Sequence, residues 1–214
     1  SWQWESSSYP GGSFSPQVII HETGHGLGVP DYYDYDNSIG PTGGVGRLDQ
    51  MDGNWGDHNA FSKFMLDWLT PVVAVSNLYG CTLRGTAQYP DAALVMPGYD
   101  GSTPYREFFV VQNRHRTLND SGYPSDGLLI WHVDARPNVS GTDFAWNNSY
   151  SSHKLLRLME ADGLEQIEKG YQANAGDYYN QGETFGPYTS PNSRDYSGAD
   201  TMVQVSSISP NGST

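Results

Sequence analysis

The chain has 214 residues, enough for one or two domains with a real core, and its net charge of -13 comes from 24 acidic against 11 basic side chains. A surface this acidic repels nucleic-acid phosphates and anionic lipid, which sets both aside as partners, and it suits calcium, which takes carboxylate and carbonyl oxygens. No apolar run approaches the ~20 residues of a membrane-spanning helix, and the single cysteine, Cys81, excludes an intramolecular disulfide.

The first ten residues, SWQWESSSYP, carry neither the basic start nor the apolar run of a secretory signal. Pro10, Gly11 and Gly12 predict a turn, and Ser15-Pro16 reads as the cap and first residue of a helix. That helix carries H-E-x-x-H at His21, Glu22 and His25, followed by Gly28 and Asp31. Residues four apart lie on one helix face, so both imidazoles can reach one point. Gly28 can adopt a positive φ, stop the helix and turn the chain back, delivering Asp31 to the same point. Three such ligands and an open water position are what a catalytic zinc needs, and Glu22 lies beside them as a candidate general base. The five-residue pattern arises by chance in roughly five of a thousand chains of this composition. Requiring the glycine and the aspartate lowers that about a hundredfold, so chance is set aside. Gly24 and Gly26 break the helical rule, each at a cost of up to ~1 kcal/mol against Ala, as functional sites often do.

Residues 32–59 are rich in Gly and Asp and read as a long functional or metal-bound loop. Asp34, Asp36, Asp49 and Asp52 are either calcium ligands or solvated loop acids. Asp57-His58-Asn59 caps an amphipathic helix whose apolar stripe is Phe61, Phe64, Met65, Trp68 and Leu69, stopped by Pro71. The stripe predicts core packing, against the zinc helix.

From Val72 the pattern changes to short β-like runs, VVAVS, AALVMP, EFFVVQNR, GLLIWHVDA, HKLLRLMEA and MVQVSSIS, separated by turn signals. Leu78 and Leu83 flank Cys81 and predict a buried thiol. His132 and His153 read as structural histidines, and Glu107, Arg114, Asp126 and Asp134 as either polar contacts or ion ligands. Residues 176–198 are poor in apolar groups and predict a surface loop, ordered or calcium-bound. Fifteen tyrosines, 25 glycines, few lysines and sequons at Asn119, Asn138, Asn147 and Asn211 predict a secreted, turn-rich β protein.

HETGHGLGVPDYYDYD, with its Asp-ending zinc signature, resembles the metzincin clan. Together with GDHNAFSKFMLDWLTP, EFFVVQNR and GLLIWHVDA, it is similar to the immune inhibitor A family of secreted metallopeptidases, over about residues 15–209. The resemblance implies an α+β fold in two parts. Residues 1–71 would hold the lower part of a metzincin-like catalytic domain, with the zinc helix and a C-terminal helix, and residues 72–214 a β-rich, sandwich-like domain packed on it. It makes Met51 the candidate for the methionine such domains place in a tight turn beneath the zinc, the other reading being an ordinary buried Met. His58 is then a group supporting the ligands, a rival third ligand, or a residue of the capping loop, the last favoured because Asp31 fills the third place. The upper β subdomain of such enzymes precedes the zinc helix, yet only 20 residues precede His21, so the remainder of a precursor or another chain is expected to supply it.

The function expected is zinc-dependent endopeptidase cleavage of a protein or peptide substrate, with His21, His25 and Asp31 on the metal and Glu22 as base. The alternative is a non-catalytic structural or binding module of an extracellular assembly that keeps the scaffold.

Overall fold

The computed structural model describes residues 16–36, 38, 44–96, 98, 105–150 and 152–212. The turn expected at Pro10–Gly12 and the Ser15 cap lie outside them. The fold is mixed α/β, with few helices and one five-stranded mixed sheet. Its helices are α1 (Pro16–Gly26), α2 (Gln50–Gly53) and α3 (Ala60–Met65). Its strands are β1 (Val72–Ala74), β2 (Ala93–Val95), β3 (Phe108–Arg114), β4 (Gly127–Val133) and β5 (Leu156–Leu158), adjacent in chain order. β1 and β2 are parallel, and the other neighbours are antiparallel, with Val110 opposite Trp131 at the centre.

β3 is buried along its whole length because it is covered on both faces, which is why EFFVVQNR reads as a continuous run rather than an alternation. Phe108, Val110, Leu129 and Trp131 face a core that includes Val29, Tyr32, Met51 and Phe61 from the helical segment. Phe109, Val111 and Ile130 face a second cluster with Tyr179, Phe185 and Val203. The described residues on either side of Pro71 therefore share one core on the helical side.

Several expectations are corrected. In place of a sandwich, the described residues form a single sheet whose outer face is covered by irregular chain. MVQVSSIS contributes one bridge, Val205 to Phe185, instead of a strand. Residues 176–198 are no mere surface loop, because Tyr178, Tyr179 and Phe185 are buried and close the sheet. α3 is capped as predicted by Asn59, whose side chain accepts from the Ser62 amide at 3.0 Å, but it ends at Met65. Asp67 turns into the left-handed region (φ 58), which rotates Trp68 out to 51% exposure while Leu69 returns to the core. Phe61 packs on Phe108 and Phe144 (6.2 Å between ring centroids in both cases), so α3 rests on the sheet and not on α1. Cys81 is exposed. Leu78 is 43% exposed and Leu83 packs on the second cluster instead of covering the thiol. No helix among the described residues is long and apolar enough to cross a membrane.

Candidate metal centre

α1 delivers the two histidines and the turn after it delivers the carboxylate. Gly28 takes φ 95, and the Val29 amide bonds back to Gly24 O at 3.0 Å, closing the helix and reversing the chain. His21 Nε2 then lies 2.8 Å from Asp31 Oδ1, and His25 Nε2 lies 3.3 Å from Asp31 Oδ2. Metal bonds of 2.0–2.2 Å at tetrahedral angles separate ligand atoms by about 3.3 Å, so this spacing needs little adjustment to hold zinc. The Asp31 side chain is only 4% exposed and that of His21 7%, whereas His25 keeps 34% and marks the solvent side.

The protons on the two rings define what the site can take. His21 Nδ1 lies 3.2 Å from Gln50 O, and His25 Nδ1 lies 3.0 Å from Val29 O. A carbonyl oxygen can only accept, so each Nδ1 carries a hydrogen and each Nε2 presents its lone pair. Two lone pairs thus meet a buried carboxylate whose Oδ1 has no hydrogen-bond donor. Such an arrangement suits a cation among them, either a shared proton or a metal ion. When the cation is a proton, the hydrogen bond it makes from His21 to Asp31 raises His21 above its ordinary value, against the opposing effect of burial. His21, His25 and Asp31 place one ligand atom each within 4.8 Å of one another, so the residues fit a divalent ion.

Met51 is fully buried directly beneath α1. A methyl group at Gly24 would stand 2.6 Å from its Sδ, which explains the glycine inside the helix; at Gly26 nothing lies within 4 Å. Met51 is fixed by Asp49, which caps α2 by accepting from the Met51 amide at 2.6 Å, while Met51 O accepts from the Tyr32 amide at 3.1 Å. His58 lies beside Met51, buried, with its Nδ1 3.5 Å from Asp49 Oδ1 and its ring against Trp68. It is not one of the three converging ligands, and it immediately precedes the Asn59 cap.

Among the described residues the four loop aspartates do not bring three ligand atoms together at one point. Asp34 accepts from the Asp36 amide, and Asp36 from the Ser38 amide. Asp49 Oδ2 accepts from the Asn59 amide and side chain. Asp52 accepts from the amides of Val45 and Arg47, and burial pushes it up to about 6. These carboxylates shape turns, as short polar side chains do in irregular chain.

Two features escaped the sequence reading, and a third, Arg114, was left there between polar contact and ion ligand. Tyr33, two residues past Asp31, stacks on His21 at 6.3 Å. Its phenol is pushed up to about 12 by burial first, then by the charge and hydrogen bond of Asp31 and by Glu22. Gln50 supplies the carbonyl that orients His21, a role no side-chain pattern records. Arg114 is wholly buried, paired to Asp120 at 2.5 Å and donating to Leu48 O and His58 O, so β3 grips the loop on either side of Met51. Glu22, half-buried on α1, exerts its charge on both His21 and Tyr33.

His132 and His153, read from the sequence as structural, both have partners. Each bonds a carboxylate, Glu107 at 2.9 Å and Asp134 at 2.8 Å, and both stack on Tyr196. Arg136 also pairs with Asp134, and Asp126 caps Arg116. No protein-family model, curated protein or solved structure matches the chain.

Proposed function

We propose that this chain is the zinc-bearing part of a secreted, metzincin-like endopeptidase of the immune inhibitor A type. The observation that carries the reading is the meeting of two imidazole lone pairs with a donor-less buried carboxylate oxygen, each imidazole held by a backbone carbonyl. His21, His25 and Asp31 would hold the ion, which when bound acidifies a water and polarises a scissile carbonyl. Gln50 O and Val29 O keep both rings in the metal-binding tautomer. Glu22 takes the proton of the attacking water and passes it to the departing amine. Tyr33, kept protonated, is the neighbouring hydroxyl able to donate to the oxygen on which charge develops. Ile19 and Ile20 on α1 and Leu27 just past its end are exposed, which suits a helix that another segment of a larger catalytic unit, from its own precursor or a second chain, covers.

The test combines metal content with turnover. One zinc per chain is expected, removed by a chelator together with casein hydrolysis and restored by zinc. Glu22→Gln should keep the zinc and lose hydrolysis. A Glu22→Gln protein as active as the parent would refute the base, and zinc-loaded parent protein that cleaves no peptide would favour the non-catalytic module instead.

A further inference from the structure

The sheet face that carries Phe109, away from Met51 and α1, holds a cavity of about 650 Å³, within the range of small-molecule sites. One side of it is the end of the β3–β4 pair, with Arg106 and Glu107 just before β3 and Arg136 after β4. The other side is the loop that holds Asp195, Tyr196 and Asp200. Stacking fixes where that loop lies. Tyr196 sits between two imidazoles, 4.2 Å from His132 at 9° and 4.0 Å from His153 at 19°. The column continues to Phe109 beyond His132 and to Trp146 beyond His153. Glu107 Oε1 accepts from His132 Nε2 at 2.9 Å and from the Tyr196 amide at 2.5 Å, so the loop is hydrogen-bonded to the sheet as well as stacked on it. The cavity is therefore formed before a ligand arrives, which lowers the ordering cost of binding.

Its charges are unevenly answered. Arg136 is spent on Asp134, which also accepts from His153 Nε2 at 2.8 Å. Arg106 is exposed and pairs with no acid among the described residues. Asp195 accepts from the Ala199 amide at 2.8 Å and Asp200 from the Met202 amide at 2.7 Å, and neither has a basic partner among the described residues. A guanidinium and two carboxylates thus line one cavity without closing on each other, farther apart than an ion pair reaches. A simple anion would meet the carboxylates and a simple cation the guanidinium. A ligand with both charges, held apart, matches all three. Met96 and Met202 add adaptable apolar surface to the lining.

We propose that this cavity binds a short peptide as its zwitterion, with the C-terminal carboxylate on Arg106 and the N-terminal ammonium toward Asp195 and Asp200. A free amino acid fits less well, because its two charges flank a single carbon. The site uses no metal and does not rest on the peptidase reading.

The experiment is calorimetric titration of the chelator-treated full chain at neutral pH with the tripeptide Ala-Leu-Ala. One peptide should bind per chain with a Kd on the order of 0.1 mM. The N-acetylated and the C-amidated tripeptides should each bind about tenfold or more weakly, and so should free leucine. Arg106→Gln and Asp200→Asn, both at exposed positions, should keep the parent's midpoint of unfolding. Arg106→Gln should weaken the free tripeptide about tenfold and leave the amidated one unchanged; Asp200→Asn should weaken the free tripeptide and leave the acetylated one unchanged. A His21→Ala/His25→Ala protein should bind as the parent does. The proposal is overturned if the parent binds no tripeptide at millimolar concentration, if blocking either terminus changes nothing, or if leucine binds as tightly. It is also overturned if Arg106→Gln binds as the parent does, or if binding disappears with the two histidines.

Discussion

Gly24 offers the sharpest test of how the metal helix is seated. Gly24 and Gly26 both occupy helical positions in α1, so alanine at either gains the same helix propensity, about 1 kcal/mol. They differ in what a methyl group meets. At Gly26 it meets nothing within 4 Å, whereas at Gly24 it meets Met51 Sδ at 2.6 Å and Met51 Cε at 3.2 Å. The thioether can swing, but Met51 is fully buried and His58 Cε1 lies just beyond, so displacing it amounts to overpacking, at about 1–3 kcal/mol. Gly26→Ala should therefore stabilise the protein by up to about 1 kcal/mol, and Gly24→Ala should fall below it by about 1–3 kcal/mol. At this chain length each kcal/mol moves the midpoint by about 2–4 °C. Urea unfolding of both variants with the same chelator present measures the difference. Met51→Ala in the Gly24→Ala background supplies the control, because the cavity should absorb the new methyl and the two changes should couple favourably. Equal stabilities for the two single variants would refute the seating of Met51 beneath α1.

Tyr33→Phe should leave zinc content unchanged and lower kcat by about ten- to a hundredfold with little change in KM, as loss of one transition-state donor does; an unchanged kcat removes Tyr33 from the mechanism. Asp52 is held at about 6 in the folded chain against an ordinary value of 3.8, so the folded state binds more protons between these limits. Stability should accordingly fall by up to about 3 kcal/mol as pH rises from about 4 to 6, and Asp52→Asn should flatten that slope in urea titrations. Arg114→Met should cost about 3–5 kcal/mol, because it strands the buried carboxylate of Asp120 and frees two backbone carbonyls. Adding Asp120→Asn should recover part of that loss in the same denaturation assay.

How much of this was legible beforehand depended on whether the information was local. The arrangement of His21, His25 and Asp31 follows from helix period and one glycine stop, so the residues alone foretold their meeting. The Asn59 cap and the strand cores at Phe108–Arg114 and Gly127–Val133 are local in the same sense. The end of α3 was not, because Asp67 in the left-handed region is chosen by the packing of Leu69, against a stripe that favours continuation to Trp68. Residues 176–198 misled because their burial rests on three aromatics among many glycines and polar residues, and composition averages those away. The loop aspartates looked like ion ligands for the same reason. A carboxylate that caps a backbone amide and one that faces an ion have identical sequences, and only the destination of the amide hydrogens separates them.

The proposed metal centre would also be a joint, which links binding to stability. Its ligands come from α1 and the following turn, but its supports come from elsewhere: Gln50 O and Met51 from α2, and Arg114 of β3, which bonds the carbonyls of Leu48 and His58. A strand in the middle of the sheet thereby fixes the height of α2, and α2 fixes the tilt of one imidazole. Loss of zinc should therefore loosen α1 and the Asp31 turn first, since they lie at the edge of the core and reach the sheet through Met51, the Gln50 contacts and Tyr32. Hydrogen exchange with and without zinc reads this directly. Protection should drop in residues 18–33 and persist in β3 and β4, whose ladder stays intact without the ion. Uniform loss of protection across the sheet would mean that the ion organises the whole core, and that the sheet is not the frame on which the site is built.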